Sequence, residues 1–348
     1  FLWVKMKKLL LLFAALLPCF LAHSQEAEGN GAYAEFQVIP RFEFNPYFTP
    51  GQTGDGSSGY SFGNSSIYTL VEGAFSDNLS FTLSNHWLST DIAGLYTSTL
   101  YSNAYNWLDI MTVDLSLGNW TFTIGKDCIA SGGFEYDAWD VDTDYLLVDD
   151  KVLLASNLWY GLPSYQWGGK VAYGIGEHTS LALQMTTSPF GERPFASGLY
   201  CYSGKWDGNY GPLSNMWSAS AVQRPDGGFE WLVALSQRVE LGDFTVGLDW
   251  YNIADVDFGP EDEAPCEFVK GNTFRPVFQW APSEKIDLSL AGNIYTRMGE
   301  LYDLNAGTAV HYTPIEGIQV HGALGWDLYS QAVSAMVGIK VNFKFLSL

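Results

Sequence analysis

Residues 333–345 read VSAMVGIKVNFKF. Val333, Ala335, Val337, Ile339, Val341, Phe343 and Phe345 hold one set of alternate positions; Ser334, Met336, Gly338, Lys340, Asn342 and Lys344 hold the other. A two-residue period puts the first set on one face of a strand and the second on the opposite face. One face is apolar along the whole stretch, while the other carries two lysines, an asparagine and a serine. Such a strand needs an apolar medium on one side and water or paired partners on the other.

The same period recurs upstream. Val320, Leu324 and Trp326 oppose Gln319, His321 and Asp327, and Trp231, Val233 and Leu235 oppose Glu230, Ser236 and Arg238. Shorter copies are Trp120/Phe122/Ile124, Leu181/Leu183/Met185, Phe244/Val246/Leu248/Trp250 and Ile286/Leu288/Leu290/Ile294. No stretch holds a 3.6-residue apolar period for three turns, and none beyond the N-terminus has the roughly 18 consecutive apolar residues that mark a spanning helix. Spanning helices are thus excluded, and the chain reads as all-β.

Alternation alone would also suit a sandwich, so connection lengths decide. Tight turns are expected at 76–78, 118–119, 176–178, 241–243, 282–285 and 314–317, with longer Gly-rich or polar links between them. These links fall near 45–65, 91–104, 127–164, 189–228, 254–271 and 298–306. Short and long connections take turns, the asymmetry of a transmembrane antiparallel up-and-down β-barrel. Strands are expected near 33–44, 66–75, 79–90, 105–117, 120–126, 165–175, 179–188, 229–240, 244–253, 272–281, 286–297, 307–313, 318–328 and 332–346. That is about 14, within a range of 12 to 16, because a further pair hidden in 145–160 or 214–223 would make 16. The longest links, 127–164 and 189–228, are read as external loops. Trp107, Trp120, Trp167, Trp231, Trp250, Trp280, Trp326 and Phe345 sit where strands meet loops, as interfacial girdles do.

The N-terminus sets the compartment. Met6-Lys7-Lys8 is a positive n-region, residues 9–22 form a short apolar run, and Ala22-His23-Ser24 offers small residues before Gln25. Residues 1–24 read as a cleaved signal peptide and 25–348 as one outer-membrane barrel domain. Residues 1–24 hold Lys5, Lys7 and Lys8 and no acid, so 14 basic side chains face 38 acidic ones beyond them, a formal charge of −24. Such a field excludes nucleic acid as a partner. Aromatics at 16% and hydrophobics at 47% also argue against an ordinary soluble acidic domain. Beyond residue 24, Cys128, Cys201 and Cys266 allow three alternative single bridges, among which sequence cannot choose.

The faces assigned to the lumen carry charges of both signs: Asp114, Lys170, Glu230, Arg238, Asp249, Arg275, Asp287, Arg297 and Lys340, with His311, His321, Asp327 and Lys344 beside them. A Lys or Arg facing lipid near the midplane costs about 2–4 kcal/mol, so their recurrence on one face implies water there. These residues are the expected pore lining. Glu135, Asp137, Asp140, Asp142 and Asp144 of the first long loop, with Glu192 and Arg193 of the second, are the expected constriction residues. The reading is therefore a porin for passive diffusion of small hydrophilic solutes or ions, with cations preferred. The rival reading is a non-conducting barrel that docks surface partners through its acidic loops. Membrane lipid and small polar solutes are the expected partners.

No catalytic residue and no cofactor are expected. H-E-x-x-H, G-x-S-x-G, Cys-x-x-Cys and Walker patterns are all missing from the sequence. Asp140-Val141-Asp142-Thr143-Asp144 begins like a calcium loop, but Tyr145 and Lys151 stand where Gly and Glu would be needed, so no metal site is assigned.

Ile124-Gly125-Lys126 before a long Gly-rich loop, and Ser188-Pro189-Phe190-Gly191-Glu192 opening the next, resemble the phosphate-selective porin O/P family of Bacteroidetes type. The resemblance covers mainly residues 120–195 and implies an outer-membrane channel that assembles as a homotrimer. The chain departs from the family in its few basic residues, its acidic long loop and its ending in Leu348. Only the pore role carries over.

Overall fold

The structure, a computed structural model, describes residues 32–50, 56–62, 65–90, 108–137, 146–148, 151–191, 195–257 and 267–347. Sixteen antiparallel strands close into one barrel. They are β1 (Tyr33–Thr49), β2 (Ser65–Ser76), β3 (Leu79–Thr90), β4 (Leu108–Leu117), β5 (Trp120–Cys128) and β6 (Tyr165–Ile175). Next come β7 (Thr179–Thr187), β8 (Tyr200–Tyr210), β9 (Leu213–Gln223), β10 (Phe229–Leu241) and β11 (Phe244–Asp257). The last are β12 (Glu267–Ser283), β13 (Ile286–Arg297), β14 (Glu300–Ile315), β15 (Ile318–Asp327) and β16 (Val333–Val341), which continues past Asn342 as Phe343–Ser347. Each strand pairs with its neighbours in sequence, and β16 returns to β1 through Arg41↔Lys340 and Phe44↔Val337, so no edge is left open. A short strand, Ser57–Ser61, extends the β2 side of the sheet along the far end of β1.

The alternation read from 333–345 becomes an outside and an inside. Ile124 and Leu183 are 69% and 68% exposed on the outer wall, whereas their inward neighbours Thr123 and Gln184 are 7% and 5% exposed. The outer face is apolar around the barrel, as a membrane-spanning wall requires. Aromatics gather toward the strand ends: Trp120 on Tyr173 at 4.6 Å, and Phe244 stacked on Trp280 at 5.9 Å. No helix among the described residues is long and apolar enough to cross a membrane.

At one end of the barrel the connections are all tight turns, and glycine supplies the left-handed backbone in several, as at Gly118 (φ 60°) and Gly242 (φ 66°). The opposite end carries the longer links. The expected 14 strands become 16 because 189–228 is not one loop: β8 and β9 form a hairpin within it. The outward positions of β8 are Tyr202, Gly204, Trp206, Gly208 and Tyr210, and the two glycines dilute the apolar period that marks the other strands. The link expected at 298–306 shrinks to a turn at Met298-Gly299, since Asp303 and Asn305, polar but inward-facing, belong to β14. Cys201 is a buried free thiol; Cys266 lies outside the described residues, as do residues 1–31 with the expected signal peptide.

Candidate functional site: the lumen and its inward segment

The chain leaving β5 does not stay outside the barrel as an external loop. Residues 129–137 and 151–164 run along the inner wall, and glycine makes this possible. A Cβ on Gly133 (φ 91°) would come within 2.0 Å of the Tyr251 hydroxyl, and one on Gly132 (φ 71°) within 2.4 Å of Ser218 Oγ. Only backbone without a side chain fits so close to β9 and β11.

The wall then supplies the hydrogen bonds that the irregular backbone lacks. Ala130 N donates to Gln184 Oε1 (2.7 Å), and Gln184 Nε2 donates to Cys128 O (2.9 Å). Asn293 Nδ2 donates to Ala155 O and Asn305 Nδ2 to Val152 O, both at 3.0 Å; Asn157 N donates to the Tyr295 hydroxyl at 3.1 Å. A buried backbone group without a partner would be costly, so these inward amides act as a second strand for the segment. The short helix α1 (Asn157–Gly161) starts at Ser156, whose Oγ accepts from Trp159 N at 3.1 Å.

Apolar contacts complete the docking. Leu158 and Leu162 pack with Ile129, Leu232, Tyr251 and Ile253. Leu146, Leu153 and Leu154 lie against Ala309, Ala323 and Met336. Here the wall is carved to receive them: a Cβ on Gly325 would meet Leu153 Cβ at 2.8 Å, and one on Gly307 would meet Leu154 Cδ2 at 2.5 Å.

Charge fixes the middle of the segment. Glu135, 4% exposed, accepts from the Tyr251 hydroxyl (2.7 Å), Ser156 Oγ (2.5 Å) and Ser156 N (3.1 Å), and Arg275 Nε lies 3.3 Å from it. Arg275 also meets Asp249 at 3.3 Å, and Arg238 clasps Asp249 with two bonds of 2.8 Å. The Arg238 guanidinium stands 4.5 Å over the Phe134 ring. Burial, and then the Glu135 carboxylate, push the Tyr136 hydroxyl well above its ordinary range, so it stays neutral.

The structure thus gathers three of the expected lining residues, Arg238, Asp249 and Arg275, with Glu135 into one ion cluster. Asp137 reaches Lys205 (3.2 Å), which also lies 3.3 Å from Asp207, and Lys170 pairs with Asp127 at 2.6 Å. Asp114 accepts from Thr123 at 2.5 Å. Glu230 sits apart at the long-link end, bound to Arg224 (2.6 Å) and to Phe268 N (2.6 Å). Arg297 is exposed beside the Met298-Gly299 turn, away from the cluster. Asp287 and Lys340 occupy inward positions nearer the tight-turn end, on β13 and β16. Asp140, Asp142, Asp144, Glu192 and Arg193 lie outside the described residues.

Several inner-wall residues are not picked out as pore lining by the sequence. Lys205 and Asp207 read as charges of the second long loop, and the structure puts them on β8. Arg41 and Glu43, an ion pair on β1, alternate with Phe42 and Phe44, so their period was legible. Gln184, Asn293, Asn305, Tyr251 and Tyr295 carried no charge to draw attention, although each stands at an inward position of an alternating strand.

A closed barrel with an apolar outside, a charged inside and a segment folded into the lumen defines the class: a 16-stranded antiparallel transmembrane β-barrel. Comparison with known proteins agrees at the level of fold. No protein family matches the chain, and no curated protein does. Among solved structures, a loop deletion mutant of OmpT, an outer membrane protein of Vibrio cholerae, superposes with a TM-score of 0.60 at 12% identity; the match covers 90% of this chain and 100% of that one. A triple mutant of the Rhodopseudomonas blastica porin superposes at 0.57 with 16% identity over 89% of this chain and 100% of that one. Another mutant of that porin reaches 0.59 at the same identity and coverage.

Proposed function

We propose that this chain is an outer-membrane pore, not an enzyme, that lets small hydrophilic solutes or ions diffuse passively, with cations preferred. The observation that carries the reading is the inner wall: charged and polar side chains line it, and residues 129–137 and 151–164 are built into it and narrow the lumen. A wall of this kind is stable only against water or paired partners. The solved R. blastica porins share the fold and are called porins, which supports the same role here.

Cation preference rests on the acidic balance of the chain and on Asp137 and Asp207, two carboxylates that share the single ammonium of Lys205. Glu135 adds less than its place in the loop suggests, because Arg275 neutralises it. The basic groups Lys170, Lys205, Arg238 and Arg275 each stand within ion-pair reach of a carboxylate, which speaks against an anion-collecting lumen and so against phosphate selectivity. The tight turns then face the periplasm and the longer links the exterior, with residues 1–24 acting as the export signal; a homotrimer is the expected assembly.

Planar-bilayer recording of the purified, folded barrel tests the pore. Discrete conductance steps are expected, and a folded barrel that never conducts would leave the partner-docking reading in its place. Reversal potentials in a salt gradient test the preference; a clear anion preference overturns it.

A further inference from the structure

Five charged side chains of the inner wall form a row that the ion cluster around Glu135 does not include. Asp127 of β5 holds Lys170 of β6 at 2.6 Å. Lys205 and Asp207 of β8 lie 3.3 Å apart, and Asp137 of the inward segment reaches Lys205 at 3.2 Å. The strand residues belong to the inward set. Thr123 and Ala182, the Cα partners of Lys170 and Lys205, are buried inside, whereas Ile124, Leu183 and Tyr202 are exposed on the outer wall. Between β6 and β8, β7 offers Ser180 and Ala182, side chains too short to stand between the two groups of charges. Asp207 feels the Lys170 charge as well as that of Lys205, so the groups share one neighbourhood. The sign each turns to the water differs. Asp137 and Asp207 are 56% and 39% exposed, while the Lys205 they share is 17% exposed. Lys170 is 31% exposed and its partner Asp127 20%. One end of the row thus presents carboxylate and the other ammonium.

We propose that this row is a recognition site for zwitterionic solutes, the free amino acids and short peptides that carry one ammonium and one carboxylate. The inference rests on the pore reading above and names the solute class that such a pore favours. The solute's ammonium goes to Asp137 and Asp207, which share one counter-charge and so leave one negative charge unmatched. Its carboxylate goes to Lys170. Neighbouring strands lie about 4.8 Å apart, so β6 and β8 stand roughly 10 Å apart across β7. The flexible lysine stem lets the ammonium close that gap to the length of a small zwitterion. Asp114, on β4 beyond Thr123, is already taken by the hydroxyls of Thr112 and Thr123. Arg238 and Arg275 are held in the Glu135 cluster and leave the carboxylate end to Lys170. Exposed ion pairs are weak, so a solute exchanges partners with them at little cost and leaves again. A simple ion meets only one half of the row, and an uncharged solute gains from neither.

The test is the swelling of proteoliposomes carrying the full barrel, in glycylglycine and in xylitol, an uncharged solute of similar size. K170M removes the ammonium end of the row and D137N/D207N the carboxylate end. Each is expected to lower the glycylglycine-to-xylitol rate ratio about fivefold, the size of one unit-charge contact at about 4 Å in water. K170R keeps the charge and should keep the ratio. β-Alanine run beside the dipeptide separates the two sources: the solute whose ratio both variants lower is the one recognised. Reversal potentials of the same variants in a potassium chloride gradient should instead move in opposite directions, toward cations for K170M and toward anions for D137N/D207N. Zwitterion ratios that also move in opposite directions, or that neither variant changes, overturn the proposal, since net charge alone then governs entry. If neither solute enters wild-type vesicles, the pore reading fails and binding decides the row. Saturation-transfer NMR signals of glycylglycine on the folded barrel in micelles, lost in K170M and in D137N/D207N, uphold it; signals that persist in both sink it.

Discussion

Glu135 is the residue on which the lumen's architecture turns. Its carboxylate joins the segment's own Ser156 to Tyr251 and Arg275 on the wall, and those wall partners lie more than a hundred positions along the chain. Replacing it with alanine leaves the Arg275 charge buried beside one acid instead of two. Breaking a buried, hydrogen-bonded ion cluster in this way costs about 3–5 kcal/mol. E135A should therefore unfold at lower urea, read from tryptophan fluorescence in micelles, and E135Q, which keeps the shape and some hydrogen bonds, should lose less. Equal stability for wild type and E135A would contradict the cluster. The acid itself was legible in the sequence as part of an acidic loop. Its role was not, because sequence spacing says nothing about which wall residues fold opposite it.

At the scale of the element, the inward segment is held by fitted shapes as well as by charge. Gly307 and Gly325 recess the wall where Leu154 and Leu153 enter. G325L fills one recess and should lift Leu146, Leu153 and Leu154 from the wall formed by β14 to β16. The expected results are faster cleavage within 146–164 by an added protease and larger single-channel conductance; unchanged values for both would show that the recess does not anchor the segment. Ser156→Ala removes the α1 cap together with the hydroxyl's bond to Glu135. A lost cap alone is worth about 1 kcal/mol, so this variant should fall between wild type and E135A in urea midpoint. The strands themselves were largely legible from alternation, as β16 shows from end to end. β8 was not, since glycine at two outward positions interrupts the apolar face. A glycine tells a reader that backbone comes close to something, without naming it, and Gly307, Gly325 and Gly338 are all of that kind.

The whole molecule is a wall between two media, and its stability depends on which side a charge is placed. Ile124 faces outward from mid-barrel and Thr123 inward. Ile124→Arg should destabilise insertion by about 2–4 kcal/mol, the cost of an arginine facing lipid near the midplane. Thr123→Arg lies beside Asp114 and should cost less. Folding titrations into lipid vesicles compare the two, and a reversed order would mean that inside and outside are wrongly assigned. The sixteen-strand closure follows from the pairing of β16 with β1, a contact between the two ends of the domain that no local pattern announces.

What the sequence determined by itself was the wall: strands with one apolar and one polar face, joined by alternately short and long links, because side-chain period and turn chemistry are local properties. What only the tertiary structure decided was the interior. The number of strands, the inward course of 129–137 and 151–164 and the cluster around Glu135 all depend on which strands become neighbours when the sheet closes. Closure brings together residues hundreds of positions apart, and the partners that neutralise or position a charge are chosen by that geometry.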